Sequence, residues 1–215
     1  LGVETTLLYR GEMFMRGFDN DLRSHLAEEM LKKGVDIKFS TNLSSIEKVN
    51  DELVGICEDG SSIYADEIMY AIGRIPKVSD LGIEDLGVQI GENGEIVVDD
   101  YYKTSVDSIY AIGDVIDRIQ LTPVALAEGM AVAKTLFCNQ PSSADYEYIP
   151  TAVFSQPELG TVGLTEEEAR GLYDEVAIYK SSFRSLKHTL TDCDEKTLMK
   201  MVVDKKSDRV LGVHM

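Results

Sequence analysis

The chain has 215 residues, 44% of them hydrophobic, with 17 glycines, 5 prolines and a formal net charge of −17. Its length and apolar content suffice for one large or two small domains, and its acidity argues against a surface that holds a phosphate backbone, so no nucleic-acid partner is expected. No apolar run approaches the roughly 20 residues of a membrane helix, so no membrane partner is expected either; three cysteines outside any C-x-x-C or C-x₄-C pair fit a reducing compartment, the cytoplasm.

Leu1 opens directly into a strand-like segment, and Thr5 to Tyr9 reads as a buried strand. Asp19 to Lys33 reads as a helix, with Leu22, Leu26, Met30 and Leu31 on one face and Gly34 placed to end it. Val35 to Phe39 alternates as a strand. Ser45 to Val49, Leu53 to Cys57 and Ile63 to Ala65 then form a small antiparallel insertion, and Ile68 to Ile72 is apolar enough for a centrally buried strand. The first 76 residues thus read as the remainder of an open α/β nucleotide-binding unit. A loop, Pro76 to Asp85, leads into residues 77–145. Short strands follow at Gly87 to Ile90, Ile96 to Val98 and Ser108 to Ile112, and then a long helix from Thr122 to Phe137, with Thr122 as N-cap and Pro123 at its first position. Residues 146–215 carry short strands at Ala152 to Phe154 and Thr161 to Gly163. After them come a capping box at Thr165 to Glu168, strands at Val176 to Tyr179 and Leu198 to Val203, and a hairpin into Val210 to His214. The expected class is α/β: partial Rossmann-like, three-layer ββα nucleotide-binding domains, followed by the start of an α+β domain. Both ends read as cut, so an internal fragment is expected.

The first strand ends at Tyr9-Arg10, and Arg16 follows six residues later, where an NAD site would place a carboxylate for the ribose. Two arginines there suit a 2′-phosphate, hence NADP; the alternative is a pair of solvated loop charges, and Glu12 stands close by. Tyr70 to Ile75 reads Y-A-I-G-R-I, and Tyr110 to Val115 reads Y-A-I-G-D-V. Ligands of open α/β sheets sit beyond the carboxyl ends of strands, so Gly73 and Arg74 could face phosphate. Asp114 would repel pyrophosphate, and could instead accept from sugar or polyol hydroxyls beside the helix start at Thr122. That combination suits a flavin, against the alternative of an exposed strand-end acid. His25 and His188 have no cysteine, histidine or carboxylate partner at metal spacing, and no metal is expected.

Together these segments resemble the pyridine nucleotide–disulfide oxidoreductase family, most of all its NADP-using, glutathione-reducing branch. The telling stretches are Y-R-G-E-M-F-M-R-G-F-D (Tyr9 to Asp19), the two Y-A-I-G motifs, the run from Gly113-Asp114 to Thr122-Pro123, Ile149 to Ala169, and Thr197 to Met215. The resemblance implies that Arg10 and Arg16 bind the 2′-phosphate of NADP and that Gly73 and Arg74 make a second NADP contact. It implies FAD contacts at Gly113, Asp114 and Thr122, and a nicotinamide pocket lined by Gln120 and Ala152. It also implies a homodimer joined through the last domain, with electrons passing from NADPH through FAD to a redox disulfide and then to glutathione disulfide. Cys57, Cys138 and Cys193 match none of the family's redox positions, so no catalytic residue is expected in this chain. The branch's arginine for a substrate carboxylate would follow Gly129, where Met130 stands. A trypanothione-type enzyme, a mercuric reductase, a dihydrolipoamide dehydrogenase and a non-catalytic nucleotide-binding fragment remain as alternatives.

Overall fold

The computed structural model describes residues 2–83 and 85–215; Leu1, and Glu84 within the predicted loop, lie outside them. The chain divides into two compact units. One takes the chain up to Met69 and again from Tyr148 to Met215, and the other is Tyr70–Glu147.

In the first unit, β1 (Thr6–Tyr9) and β2 (Asp36–Phe39) pair in parallel, joined by α1 (Asn20–Lys32). This is a β-α-β crossover with its covering helix. Asp19 caps α1 by accepting from the Asp21 N–H. Leu22 and Leu26 face inward, where Leu7, Ile37 and Phe39 pack against them. The predicted insertion is an antiparallel sheet of β3 (Leu43–Val49), β4 (Glu52–Cys57) and β5 (Ser62–Ala65).

The remainder of this unit is a five-stranded antiparallel sheet. Its strands are β6 (Thr151–Val153), β7 (Leu159–Gly163), β8 (Val176–Arg184), β9 (Lys196–Asp204) and β10 (Arg209–His214), in the order β6-β7-β10-β9-β8. The helix α3 (Glu166–Leu172) opens with the predicted capping box, made by Thr165 and Glu168 in both directions. Strand β8 runs five residues beyond the predicted Tyr179. It lies at a sheet edge, where Lys180, Ser181 and Ser182 can face water without breaking the ladder. Gly163 and Gly212 are register partners of β7 and β10. A Cβ at Gly212 would meet the Leu164 carbonyl at 2.0 Å, so only glycine lets the two backbones approach. Leu159 and Leu198 share a core with Leu22, Leu26 and Phe14, so the first and last segments of the chain are packed as one body.

The second unit has a core of Ile83, Val88, Ile96, Tyr102, Ala111, Ile116 and Ala131, closed by α2 (Thr122–Phe137). Its predicted strands shrink to single bridges, Ile90 with Ile96 and Lys103 with Tyr110. A 3-10 turn, Gly113–Ile116, follows the second Y-A-I motif. The N-cap of α2 is Leu121, one residue before the expected Thr122, and it makes no side-chain cap.

A further expectation fails. Ile68 to Ile72 is not a strand, and Met69 and Ile72 are 87% and 88% exposed. Continuous apolar content marks a buried strand only where neighbouring strands exist to receive it. Here β1 and β2 bond to each other, and no described strand pairs with residues 68–72. No described helix is long and apolar enough to cross a membrane.

Candidate functional site

The predicted contacts fall into groups that the two units carry separately. In the first unit, the loop after β1 holds Arg10 and Arg16. Its backbone is clamped from α1: the Arg23 Nε donates to the Phe14 carbonyl and Nη2 to the Met13 carbonyl, each at 2.6 Å, while Nη1 reaches Asn20 Oδ1 at 2.8 Å. Phe14 is buried with its ring tilted against Phe39, centroids 5.5 Å apart. The Ser40 N–H adds a bond to the Gly11 carbonyl at 2.9 Å. Upon this fixed backbone Arg10 and Arg16 are exposed, and neither makes a salt bridge among the described residues, although the chain carries 38 acidic residues. Two guanidinium groups without an ion pair among the described residues, carried on a loop whose backbone is hydrogen-bonded to its neighbours, can offer charge-assisted donors to an anion.

Gly73 and Arg74 belong to the second unit. Gly73 has φ +143° with open space where a Cβ would be, so its backbone conformation, not crowding, calls for glycine. Arg74 is exposed and, like the other two arginines, has no ion pair among the described residues. Ala152 lies exposed on β6 in the first unit, paired with Gly160, whereas Gln120 is in the second unit and donates to Asp117 Oδ1 at 2.9 Å.

Also in the second unit, Gly113, Asp114 and Thr122 lie on two adjoining elements. Gly113 is buried with φ +71°, and a Cβ there would stand 3.1 Å from the Ala125 Cβ. Asp114 follows and is exposed. At the start of α2, Pro123 has no N–H, while the Val124 and Ala125 amides both bond back to the Leu121 carbonyl. The Thr122 N–H is therefore the first-turn amide without a partner among the described residues. An outward acid and a free helix-start amide offer, respectively, an acceptor for hydroxyls and a donor for a carbonyl. Met130 is further along α2 and 61% exposed.

Several polar residues outside the predicted set hold these elements in place. Glu128 is 1% exposed on the inner stripe of α2 with Val124 and Ala131. Its Oε2 accepts from the Gly113 N–H, and its Oε1 from the Tyr146 hydroxyl at 2.7 Å. Arg118 donates to that hydroxyl at 3.1 Å and stacks over the Tyr102 and Tyr146 rings. Burial raises the Tyr146 phenol pKa, and its bonds to Tyr102 and Glu128 raise it further, against the opposing pull of Arg118. In the first unit Lys200, 2% exposed, meets Asp19 at 2.9 Å and both Asp21 and Glu166 at 2.7 Å. Glu128 and Lys200 each carry a sequence signal: a charge on a buried helical or strand periodicity, 124/128/131 and 198/200/202. Arg23 carries none, because its partners are mainly backbone carbonyls.

The sequence spacing offers His188 no partner, but the fold places Glu195 Oε1 at 3.3 Å and Cys193 Sγ at 4.0 Å from its Nε2. The described residues contain no cluster of three or more histidine, cysteine or acidic side chains fit to hold a metal. All three cysteines are free.

Residues 1–129 match the family Pyridine nucleotide-disulphide oxidoreductase, and residues 149–215 match its dimerisation domain. Over its whole length the chain is 42% identical to a glutathione reductase of Burkholderia cepacia and covers 48% of it. It is also 42% identical to the chloroplastic/mitochondrial glutathione reductase of Pisum sativum, covering 39%, and 40% identical to a trypanothione reductase of Trypanosoma congolense, covering 44%. Among solved structures, the HOCl-induced flavoprotein disulfide reductase RclA from Escherichia coli superposes over the full chain with a TM-score of 0.91 at 28% identity, and 49% of that chain is covered. The chain spans about half the length of these relatives, or less.

Proposed function

Because this chain belongs to the pyridine nucleotide–disulphide oxidoreductase family, we propose that it is part of an NADPH-dependent flavoprotein that reduces glutathione disulfide. The observation that carries the reading is the clamped loop after β1, where Arg10 and Arg16 stand exposed and unneutralised. An NAD ribose would call for an acid at this place; a 2′-phosphate calls for these cations. Gly73, Arg74 and Gln120 in the second unit, and Ala152 in the first, are the further residues assigned to NADP on the family resemblance.

The residues near α2 fit FAD. Asp114 accepts from the hydroxylated chain of the flavin, the backbone at Gly113 permits close approach, and Thr122 donates to a ring carbonyl. Bound FAD would supply the electron relay between NADPH and a redox disulfide. That disulfide and the acid/base pair are assigned to the part of the relatives' length that this chain does not span, since Cys57, Cys138 and Cys193 match no redox position. Residues 1–76 are read as NADP-binding, 77–145 as FAD-binding and 146–215 as the dimer-forming segment, and the match of the last segment to a dimerisation domain supports a homodimer for the whole protein. The reducing cytoplasm is the compartment that its three free thiols suit.

The test is steady-state kinetics of the full-length protein with both nicotinamide cofactors. Replacing either Arg10 or Arg16 by Ala removes a charge-assisted bond of about 1.5–3 kcal/mol. The NADPH KM should rise by about 10- to 100-fold, with the NADH KM little changed. Equal rises for both cofactors would refute a 2′-phosphate role.

Met130 favours a second reading for the substrate. An exposed methionine stands where a glutathione-reducing enzyme offers an arginine to a carboxylate, and trypanothione reductases are nearly as similar to this chain. Turnover of glutathione disulfide against trypanothione disulfide, with and without Met130→Arg, separates the two.

A further inference from the structure

Glu128 is the one buried carboxylate in the described part of the second unit, and α2 presses on the Gly113 turn right beside it. Within one helical turn, three contacts come together. Ala125 Cβ stands 3.1 Å from where a Gly113 Cβ would be, Ile112 Cδ1 stands 3.3 Å from where a Gly129 Cβ would be, and Glu128 Oε2 takes the Gly113 N–H. The two glycines bring the backbone of the turn against the helix. The carboxylate then fixes the orientation of the Ile112–Gly113 peptide, whose buried N–H needs an acceptor. Asp114 is the next residue, and Thr122 begins the same helix that carries Glu128.

We infer that Glu128 is a positioning residue for flavin binding. By tying the Gly113–Asp114 turn to α2, it sets the spacing between the Asp114 carboxylate and the Thr122 amide. The inference rests on the proposal that Asp114 and Thr122 contact FAD. The second oxygen of Glu128, on the Tyr146 hydroxyl, acts differently. That hydroxyl, which itself accepts an N–H from Arg118, gives the second oxygen of a carboxylate out of reach of water its donor. A glutamine can still turn its oxygen to the Gly113 N–H and its amide to Tyr146, whereas an alanine leaves the N–H without an acceptor.

The experiment measures FAD affinity of the full-length protein stripped of flavin, by quenching of flavin fluorescence, alongside thermal unfolding of the same apoprotein. Glu128→Ala should weaken FAD at least tenfold, while Glu128→Gln and Tyr146→Phe stay within about threefold of the parent, whatever their Tm. If Glu128→Ala binds FAD like the parent, or if Tyr146→Phe weakens it as much as Glu128→Ala, the inference is overturned and Glu128 merely stabilises the unit. Asp114→Ala separates this from the FAD assignment on which it rests. If that variant too binds FAD normally, the FAD assignment falls; if it binds weakly while Glu128→Ala does not, only the positioning role falls.

Discussion

Lys200 is a cation with almost no exposed surface, surrounded by Asp19, Asp21 and Glu166. Burial alone would push Asp19 and Asp21 up, but the hydrogen bonds and charge of Lys200 hold both below the usual carboxylate range. The Lys200 bond is the leading cause of the same lowering in Glu166. Lys200 itself is raised: burial opposes its charge, and its three carboxylate partners outweigh that burial. The signs give a pH window. Carboxylates with folded-state pKa values below their unfolded ones contribute stability that is complete above about pH 4–5 and lost as pH falls through the folded values. A lysine raised in the folded state contributes in full below about pH 10, its unfolded value, and loses that contribution as pH rises through the folded one. Stability of the first unit should therefore be flat between these limits and fall on both sides. Lys200→Met should cost about 3–5 kcal/mol at neutral pH, because it strands the buried Asp19 carboxylate, and should remove much of the acid-side slope. Urea unfolding at several pH values checks both; an unchanged acid slope in the variant would refute the account.

At the scale of elements, α1 links the candidate NADP loop to the rest of its unit. Its Asp19 end binds the Glu166 N–H at the start of α3, and Glu29 accepts from the Lys196 N–H at the start of β9. Its Arg23 holds the Met13 and Phe14 carbonyls, so the backbone between the two loop arginines is tied to the helix. Arg23→Ala should leave kcat unchanged and raise the NADPH KM by about tenfold, which corresponds to about 1.4 kcal/mol of lost preorganisation. A fall in kcat at unchanged KM would place the role of Arg23 elsewhere. The helices themselves are legible in the sequence. α1 shows an apolar stripe and an acidic cap, α3 shows its capping box, and α2 departs from expectation by only one residue at its start. The strands of the second unit are not legible. Gly87 to Ile90 and Ser108 to Ile112 have strand-like composition, yet each finds only a single bridging partner, and pairing is a tertiary fact that composition does not encode. Glu128 and Lys200 can be found as charges on buried periodicities. Arg10, Arg16 and Asp114 stand out because a charge after a strand end has a chemical meaning without knowledge of its neighbours.

At the scale of the whole molecule, chain order and packing disagree. Motif order suggests three successive parts divided near residues 76 and 145, whereas the first and last segments share one hydrophobic core and the middle forms another. Leu22 and Leu26 on α1 meet Leu198 on β9 and Leu159 on β7, and around that contact run the Lys200 ion pairs and the bond from His25 Nε2 to the Lys196 carbonyl, 2.9 Å long. Apolar burial of this kind couples elements that are far apart in sequence, so they should open together rather than one after the other. Leu198→Ala removes buried methyl groups and should cost about 2–5 kcal/mol. The loss should appear in hydrogen exchange of the α1 amides as well as those of β9, far later in the chain, while the amides of α2 keep their protection because Val124 and Ala131 are buried in the other unit. If α1 kept full protection while β9 lost it, the first and last segments would be separate folding bodies, and the shared core would be a contact without thermodynamic consequence.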